Sequence, residues 1–248
     1  MELNDQILGT LVDAEIRKVK VGLRWTAVVT ARNGNEQCGL ASTLAAKHKH
    51  SSDPDIPRAG QLERMTGLEL AKWIHSQVPI RRSLGCAAMN SLVEHDSDLW
   101  VKDNASEAIL RRGKNHKVVL IGHFPFVKDL RARLEDFTVL DLNPTGQDLP
   151  AGAAPELLPA ADVVAITGMT FINGTLGKLL AMCREDAYVI ILGPTTPLSP
   201  VLHEHGVNLL AGSVVKDIPA VLSALTQGAN FRQIHRAGVQ LVLQRSGE

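Results

Sequence analysis

Short apolar runs separated by polar turns dominate the second half of the chain. From residue 117 onwards these runs are too short for ordinary helices and are rich in β-branched residues, which predicts buried parallel strands. Segments with helical spacing or no regular pattern lie between them, and this alternation is typical of a parallel sheet with helices on both faces. The predicted strands span residues 118–121, 138–140, 162–166, 188–192 and 207–210, and a last extended run spans residues 239–243.

The beginning of the chain has the pattern of a helix followed by an antiparallel hairpin. Residues 2–15 place their apolar side chains on one helical stripe, and residues 19–30 are rich in residues that favour strands. Asn33-Gly34 is a strong hairpin-turn sequence, so residues 37–43 are expected to return beside the preceding strand.

Two further helices are predicted before the strand–helix alternation begins. Thr66 is the expected N-cap of a helix that reaches residue 77, and residues 83–95 form a helix whose small side chains permit close packing. We therefore predict an α/β protein with a small α+β domain, a linker that contains a short helix, and a parallel-sheet domain. These parts are expected to span residues 1–98, 99–116 and 117–248, in that order.

The composition excludes several classes of protein. The chain has 26 Lys and Arg residues against 26 Asp and Glu residues, whereas nucleic-acid-binding proteins usually carry a basic excess. No apolar run reaches the ~18 residues that a membrane span needs. The N-terminus has the pattern of a helix rather than of a signal peptide, and three widely spaced cysteines indicate reduced thiols. We expect a cytoplasmic protein with a small-molecule ligand and without nucleic-acid or membrane partners, and a homo-oligomer is left open.

Polar or glycine-containing turns follow every predicted strand of the parallel sheet. In open α/β sheets, ligands bind beyond the carboxyl ends of the strands. A strand, a polar turn and a helix also present backbone N–H groups to a ligand. The candidate ligand-binding residues in these turns are Gly122, Phe124, Asp141, Thr167, Gly168, Asn173, Thr175, Gly193 and Pro194.

His123 is the candidate catalytic residue, since it follows the first parallel strand and could act as a general acid or base or as a metal ligand. A histidine satisfied by the backbone is the alternative. The same turn lacks GxGxxG, and Pro125 offers no N–H to a pyrophosphate, so ordinary NAD binding is not expected. Asp141 stands where a ribose-binding acid would sit, so an adenosyl-type ligand stays open beside a loop-capping carboxylate. Asn173 and Thr175 either hold a polar ligand or cap a helix.

Two histidine pairs are candidate metal ligands. His203 and His205 are expected on a helix, where positions i and i+2 point about 200° apart and cannot share a metal. His48 and His50 lie in a polar loop with acidic residues nearby, which suits a metal ion, but interleaved lysines oppose a dication. A solvated loop is therefore the simpler interpretation of the second pair.

Asn90 stands among small apolar residues of the predicted 83–95 helix. A buried amide needs hydrogen-bond partners. We therefore expect Asn90 either to face a cleft between the domains or to bind local backbone.

Several short motifs lie along both halves of the chain. They are Gly39-Leu40-Ala41, the run from Leu84 to Asn90, Ile121-Gly122-His123-Phe124-Pro125, Asp162-Val163-Val164 with Thr167-Gly168, Asn173-Gly174-Thr175-Leu176, and Gly193-Pro194 with Pro197-Leu198-Ser199-Pro200.

Together these motifs resemble one known family, the putative heavy-metal chelation family, over nearly the whole chain. The resemblance implies an enolase N-terminal-like domain followed by a Rossmann-like domain with a partial likeness to methyltransferases. It also implies an inter-domain cleft that Asn90, His123, Asn173, Thr175 and the Gly193-Pro194 turn would line. Where the family usually has a glutamate, this chain has Asp141.

The resemblance and the strand-end residues support three hypotheses. The first is a binding protein for a metal-chelating, pterin-like or siderophore-like small molecule, with or without its metal ion. The second is an enzyme that condenses or hydrolyses such a precursor, with His123 as the acid or base. The third is an adenosylmethionine-dependent transferase, which the missing glycine-rich turn makes weaker.

Overall fold

The computed structural model describes residues 2–44 and 54–246. Within these ranges it contains a three-stranded antiparallel sheet and a mostly parallel eight-stranded sheet. The predicted α/β class, with a small α+β unit before a Rossmann-like sheet, is therefore confirmed, while the predicted domain boundaries stay a prediction. No helix in the described ranges has the length and apolar character needed to cross a membrane.

The N-terminal unit begins with a helix that is shorter than its pattern predicts. The predicted helix over residues 2–15 is wrong beyond Thr10, because residues from Glu15 onwards pair with the next strand instead. The hairpin is confirmed, since Asn33 and Gly34 have φ values of 51° and 81°, as a two-residue turn of this kind requires. The elements are α1 (Leu3–Thr10), β1 (Glu15–Val21), β2 (Trp25–Arg32) and β3 (Asn35–Ser42), and the strands are ordered β1-β2-β3.

Helices α2 (Gly67–Ala71) and α3 (Pro79–Leu92) follow this sheet. Thr66 caps α2 in a reciprocal capping box, as predicted, although the helix continues to residue 75 only as a 3-10 turn. Helix α3 starts at Pro79 rather than at Ser83, because proline suits the first helical position, where no N–H is needed. The helix ends at Leu92, before the predicted residue 95.

Small residues bring α3 into direct contact with its neighbours. A Cβ atom on Gly39 of β3 would lie 2.1 Å from the carbonyl oxygen of Ala87, and one on Gly85 would lie 2.2 Å from the backbone nitrogen of Ile74. The close packing predicted for the small-residue helix is thus present on two sides of α3.

The C-terminal sheet contains eight strands. They are β4 (Trp100–Val101), β5 (Val118–Ile121), β6 (Phe137–Asp141), β7 (Leu149–Pro150), β8 (Val163–Thr167), β9 (Tyr188–Leu192), β10 (Val207–Val215) and β11 (Val239–Arg245). Their order across the sheet is β4-β11-β10-β9-β8-β5-β6-β7. From β7 to β10 all neighbours are parallel, and β4 and β11 add an antiparallel edge. The parallel part follows the doubly wound order, whose direction of growth reverses between β5 and β8.

The helices of this part of the chain are short. They are α4 (Ala105–Gly113), α5 (Val127–Arg133), α6 (Ala154–Leu157), α7 (Met169–Asn173), α8 (Leu176–Leu180), α9 (Val201–Glu204), α10 (Ile218–Thr226) and α11 (Phe231–Ala237). One connection differs from the expected strand, polar turn and helix. Helix α7 follows β8 directly, and Gly174, with a φ of 74°, separates it from α8. The Asn173-Gly174-Thr175 turn therefore joins two short helices rather than a strand and a helix.

Strands β2 and β3 of the small antiparallel sheet are buried on both faces, whereas β1 is mostly exposed. Helix α3 covers one face, and residues of α10 and α11 pack against the other, where Val29 and Leu40 meet Val221 and Leu225. This burial explains why β2 has a run of six buried residues, 26–31, and no alternating pattern. The same packing brings the end of β3 to the C-terminal sheet, where the Ser42 N–H donates to Thr195 Oγ1 over 3.0 Å.

Candidate functional site

The candidate site lies beyond the carboxyl ends of β5 and β8, at the point where the strand order reverses. Gly122 follows β5 with a φ of 98°, and Thr167 ends β8 beside it. A Cβ atom on Gly122 would lie 2.9 Å from Thr167 Cβ, so this position requires glycine for both its conformation and its space. The reversal of strand order leaves a crevice at this point, where ligands bind in folds of this kind.

Two adjoining cavities occupy this crevice, and Phe124, Thr167 and Met169 line both of them. The first, which we call the His123 cavity, measures about 410 Å³. The second, which we call the aromatic cavity, measures about 640 Å³. Of the predicted site residues, the His123 cavity is lined by Gly122, His123, Phe124, Asp141, Thr167, Asn173 and Thr175, and the aromatic cavity by Phe124, Thr167, Gly168, Gly193 and Pro194.

A buried carboxylate holds the imidazole of His123. The Nδ1 atom of His123 lies 2.7 Å from Asp148 Oδ2, and Arg131 Nη2 donates to the other oxygen of Asp148 over 2.6 Å. The backbone N–H and the hydroxyl of Thr145 also donate to Asp148 Oδ2. The Asp148 side chain has no exposed surface, whereas that of His123 is 46% exposed. A fully enclosed acid thus fixes a histidine that faces solvent.

The charge state of Asp148 decides the tautomer of His123. Burial alone would raise the pKa of Asp148, but the hydrogen bonds from His123, from the Thr145 backbone, from Arg131 and from the Thr145 hydroxyl outweigh it and lower that pKa. The ionised carboxylate can only accept, so His123 Nδ1 donates. The Nε2 atom then carries the lone pair of the neutral ring, and it has no protein partner among the described residues.

The Asp141 carboxylate accepts hydrogen bonds from the backbone of two loops, its own and the one that follows β5. One of its oxygens accepts from the His123 N–H over 3.0 Å, and the other accepts from the Asn143 N–H over 2.8 Å. This is the loop-capping alternative, and it joins the turn after β5 to the turn after β6. The carboxylate lines the His123 cavity, but both oxygens already accept backbone hydrogen bonds.

Asn173 organises the turn between α7 and α8. Its Oδ1 atom accepts from both the N–H and the hydroxyl of Thr175, while the Thr175 side chain makes no capping hydrogen bond to α8. Asn173 lines the His123 cavity, and its Nδ2 group makes no hydrogen bond to the described residues. A ligand there would find an amide donor that the fold holds in place.

Four aromatic side chains line the aromatic cavity. The rings of Trp25 and Phe231 lie 5.8 Å apart, and those of Phe124 and Phe126 stack 5.2 Å apart with planes 11° from parallel. The Trp25 Nε1 atom is buried without a hydrogen-bond partner in the described residues. Of these four, only Phe124 stands among the residues predicted for the site.

Asn90 lines neither cavity. Its Nδ2 group donates to the Leu40 carbonyl over 2.8 Å and to the Thr195 carbonyl over 3.1 Å, and its Oδ1 atom is buried. Asn90 therefore links α3 and β3 to the turn after β9, which begins with Gly193-Pro194. Its contact with the ligand stays a prediction, whereas its contact with that turn is direct.

The described residues contain no group of three or more His, Cys, Asp or Glu side chains placed to hold a metal ion. His203 Nδ1 contacts the Val207 carbonyl, and His205 Nε2 contacts Gln6, so the two bind separate partners. His48 and His50 lie outside the described residues. Within the described part of the chain, a metal ion would therefore need ligands that the protein does not supply.

Two family profiles cover most of the chain. Both carry the description "Putative heavy-metal chelation", and they match residues 4–93 and residues 104–244. The chain belongs to the putative heavy-metal chelation family. The resemblance inferred from the short motifs is thereby confirmed.

Solved structures of this family share the fold. A protein of unknown function from Desulfitobacterium hafniense is 25% identical, covers 98% of this chain and 97% of its own length, and has a TM-score of 0.83. Another from Pyrococcus horikoshii is 22% identical, covers 98% of both chains and has a TM-score of 0.80. An uncharacterized protein of Methanocaldococcus jannaschii is 24% identical over an alignment of 233 positions that covers 89% of this chain and 88% of the relative.

Sequence reasoning misses Asp148, Arg131, Trp25 and Phe231. Asp148 lies 25 positions from His123, and Arg131 lies 17 positions from Asp148. Asp148 follows a stretch of loop residues with no periodicity, so nothing local distinguishes it from a solvated acid. The strand-end rule finds His123 because it needs only one strand, whereas the partners of His123 depend on how separate segments pack.

Proposed function

We propose that the protein binds a small planar metal-chelating molecule, pterin-like or siderophore-like in its chemistry, in the crevice beyond β5 and β8. The observation that carries this proposal is the pair of adjoining cavities at the reversal of strand order. Small-molecule sites typically measure about 300–1,000 Å³, are largely apolar and contain a few convergent polar groups. The aromatic cavity and the His123 cavity together have this character.

The aromatic cavity suits a flat, conjugated ring system. Aromatic rings pair favourably in offset-stacked or tilted arrangements, and the four rings of the cavity leave faces and edges for such contacts. Trp25 would contribute its ring to such contacts, since its Nε1 atom is buried and has no partner among the described residues. Asn173 Nδ2 and His123 Nε2 would then contact polar groups of the ligand in the adjoining cavity.

The test combines native mass spectrometry and metal analysis of freshly purified protein with titration of a defined probe. We expect a pterin probe to quench Trp25 fluorescence and Phe231→Ala to weaken its binding about fivefold, since a ring contact contributes about 1 kcal/mol beyond burial. Trp73→Phe is the control, because Trp73 packs against the core away from both cavities. Equal binding by wild type and Phe231→Ala would contradict the proposal.

A second candidate function is catalysis of a condensation or hydrolysis by His123. The observation that favours it is the bond from His123 Nδ1 to buried Asp148, which is the arrangement of a general base with an orienting acid. Incubation with a pterin or catechol conjugate, followed by mass spectrometry, distinguishes the two functions. An unchanged compound that remains bound supports binding, while a product whose formation requires His123 supports catalysis.

A further inference from the structure

His123 and Asp148 have the geometry of a histidine prepared to bind a metal ion. Metal-binding histidines usually donate their second ring N–H to a carboxylate, which fixes the ring and increases its basicity. Here Nδ1 lies 2.7 Å from an Asp148 oxygen, while the side chain of His123 remains 46% exposed. The other ring nitrogen, Nε2, has no partner among the described residues and belongs to a side chain that lines the His123 cavity.

No neighbouring group of the described residues could complete a metal site around His123. Three or more ligating side chains occur together nowhere in the described ranges. Both oxygens of Asp148 are occupied, by His123 and Thr145 on one side and by Arg131 on the other, and both oxygens of Asp141 accept backbone N–H groups. A bare ion would therefore gain only one protein ligand, which is too few to hold it. A chelated ion with one open coordination position needs only one.

We infer that His123 Nε2 coordinates the metal ion of an incoming metal chelate, and that no other side chain of the described residues does so. In this arrangement Nε2 replaces a water molecule on the metal, and the planar chelator lies against Phe124 at the boundary with the aromatic cavity. Asp148 and Arg131 are positioning residues, since they touch the imidazole or its acid and not the metal. Imidazole suits zinc, copper, nickel and iron, which defines the class of ion. This inference rests on the proposed function.

The test uses the full chain with two probes, terpyridine and its Cu²⁺ complex, a planar chelate that leaves one strong copper position open. Terpyridine alone reports binding in the cavities, and the complex also reports coordination. We expect pulsed EPR of the wild type with the complex to show nitrogen coupling from a protein imidazole. His123→Ala should remove this coupling and weaken binding of the complex but not of free terpyridine. His123 is half-exposed, so this variant is expected to fold.

Two further variants test whether Asp148 positions His123 and whether loss of any exposed histidine has the same effect. Asp148→Asn should weaken binding of the copper complex about 10–100-fold, as is typical when the acid behind a metal-binding histidine is lost, and leave free terpyridine unaffected. His116→Ala is the matched control, because His116 is 57% exposed beside Asp162, at 3.6 Å, and precedes β5 at the opposite edge of the sheet. It should bind both probes like the wild type.

Three outcomes distinguish coordination by His123 from binding in the aromatic cavity. Imidazole coupling that persists in His123→Ala, or a wild type that binds both probes equally without such coupling, overturns the role of His123 and leaves the cavity proposal intact. Loss of coupling in His123→Ala, with free terpyridine binding unaffected by Phe231→Ala, supports the coordination and refutes the aromatic cavity as the binding surface. Loss in His123→Ala together with weakened terpyridine binding in Phe231→Ala supports both.

Discussion

Replacing Gly39 by alanine should destabilise the protein strongly and also disturb the candidate site. The new Cβ atom would lie 2.1 Å from the Ala87 carbonyl oxygen and 2.2 Å from the Ser91 nitrogen. Both are backbone atoms of α3, so no side-chain rotation relieves the overlap. Ordinary contact begins at 3.4 Å, and α3 would have to move away from β3 by roughly 1 Å.

The cost follows from what lies behind α3. Ten residues of this helix are buried, including Leu84 and Met89, so the displacement compresses a packed core. Added volume in a packed core typically costs about 1–3 kcal/mol, and we expect the upper end here because the obstacle is backbone on two sides. For a chain of this length, such a loss lowers the melting temperature by roughly 6–12 °C.

The assay is thermal and urea unfolding of Gly39→Ala beside Gly177→Ala. Gly177 lies in α8, where an added Cβ atom would meet no neighbouring part of the described chain within 4 Å, so its substitution should be neutral or stabilise by up to about 1 kcal/mol. Because Asn90 on α3 donates to the Thr195 carbonyl, Gly39→Ala should also weaken ligand binding. A melting temperature within 2 °C of the wild type, by the same scale about 1 kcal/mol or less, would refute the packing argument.

Three other predictions concern individual side chains. Burial raises the pKa of the Cys38 and Cys86 thiols to about 12 and that of Cys183 to about 11, so a thiol reagent at pH 8 should label the native protein slowly and the unfolded protein fully; rapid labelling of Cys86 in the native state would contradict this. Burial, with a contribution from Lys216, lowers the pKa of His95 below 6.5, so the unfolded chain takes up the proton first as the pH falls and stability should decrease below pH 6.5; urea melts of wild type and His95→Gln at pH 7.5 and 5.5 should show a smaller decrease in the variant. Thr66→Ala removes a capping box and should cost about 1 kcal/mol, whereas Thr66→Ser, which keeps the hydroxyl, should restore most of the loss in the same melts.

The local pattern of apolar and polar residues predicts an element correctly where the whole segment has the same environment. Strands β5 and β9 coincide with the predicted ranges of 118–121 and 188–192, because short continuous apolar runs that end at a glycine identify strands buried on both faces. The same reasoning fails at residues 11–15, where Leu11 and Val12 continue the apolar stripe of α1 although the helix ends at Thr10. Where the chain leaves the helix and begins β1 depends on the pairing of Glu15 with β2, which the local pattern does not encode.

The candidate site also contains features that the local sequence predicts and contacts that only the tertiary structure shows. The sequence by itself determined that His123 and Gly193 follow strand ends, because parallel strands place their following turns on one edge. Only the tertiary structure decided that Asp148 meets His123, that Asn90 holds the Thr195 turn and that Trp25 and Phe231 share a cavity. These contacts join segments separated by tens to hundreds of residues, and packing of whole elements brings them together, so no short-range pattern specifies them.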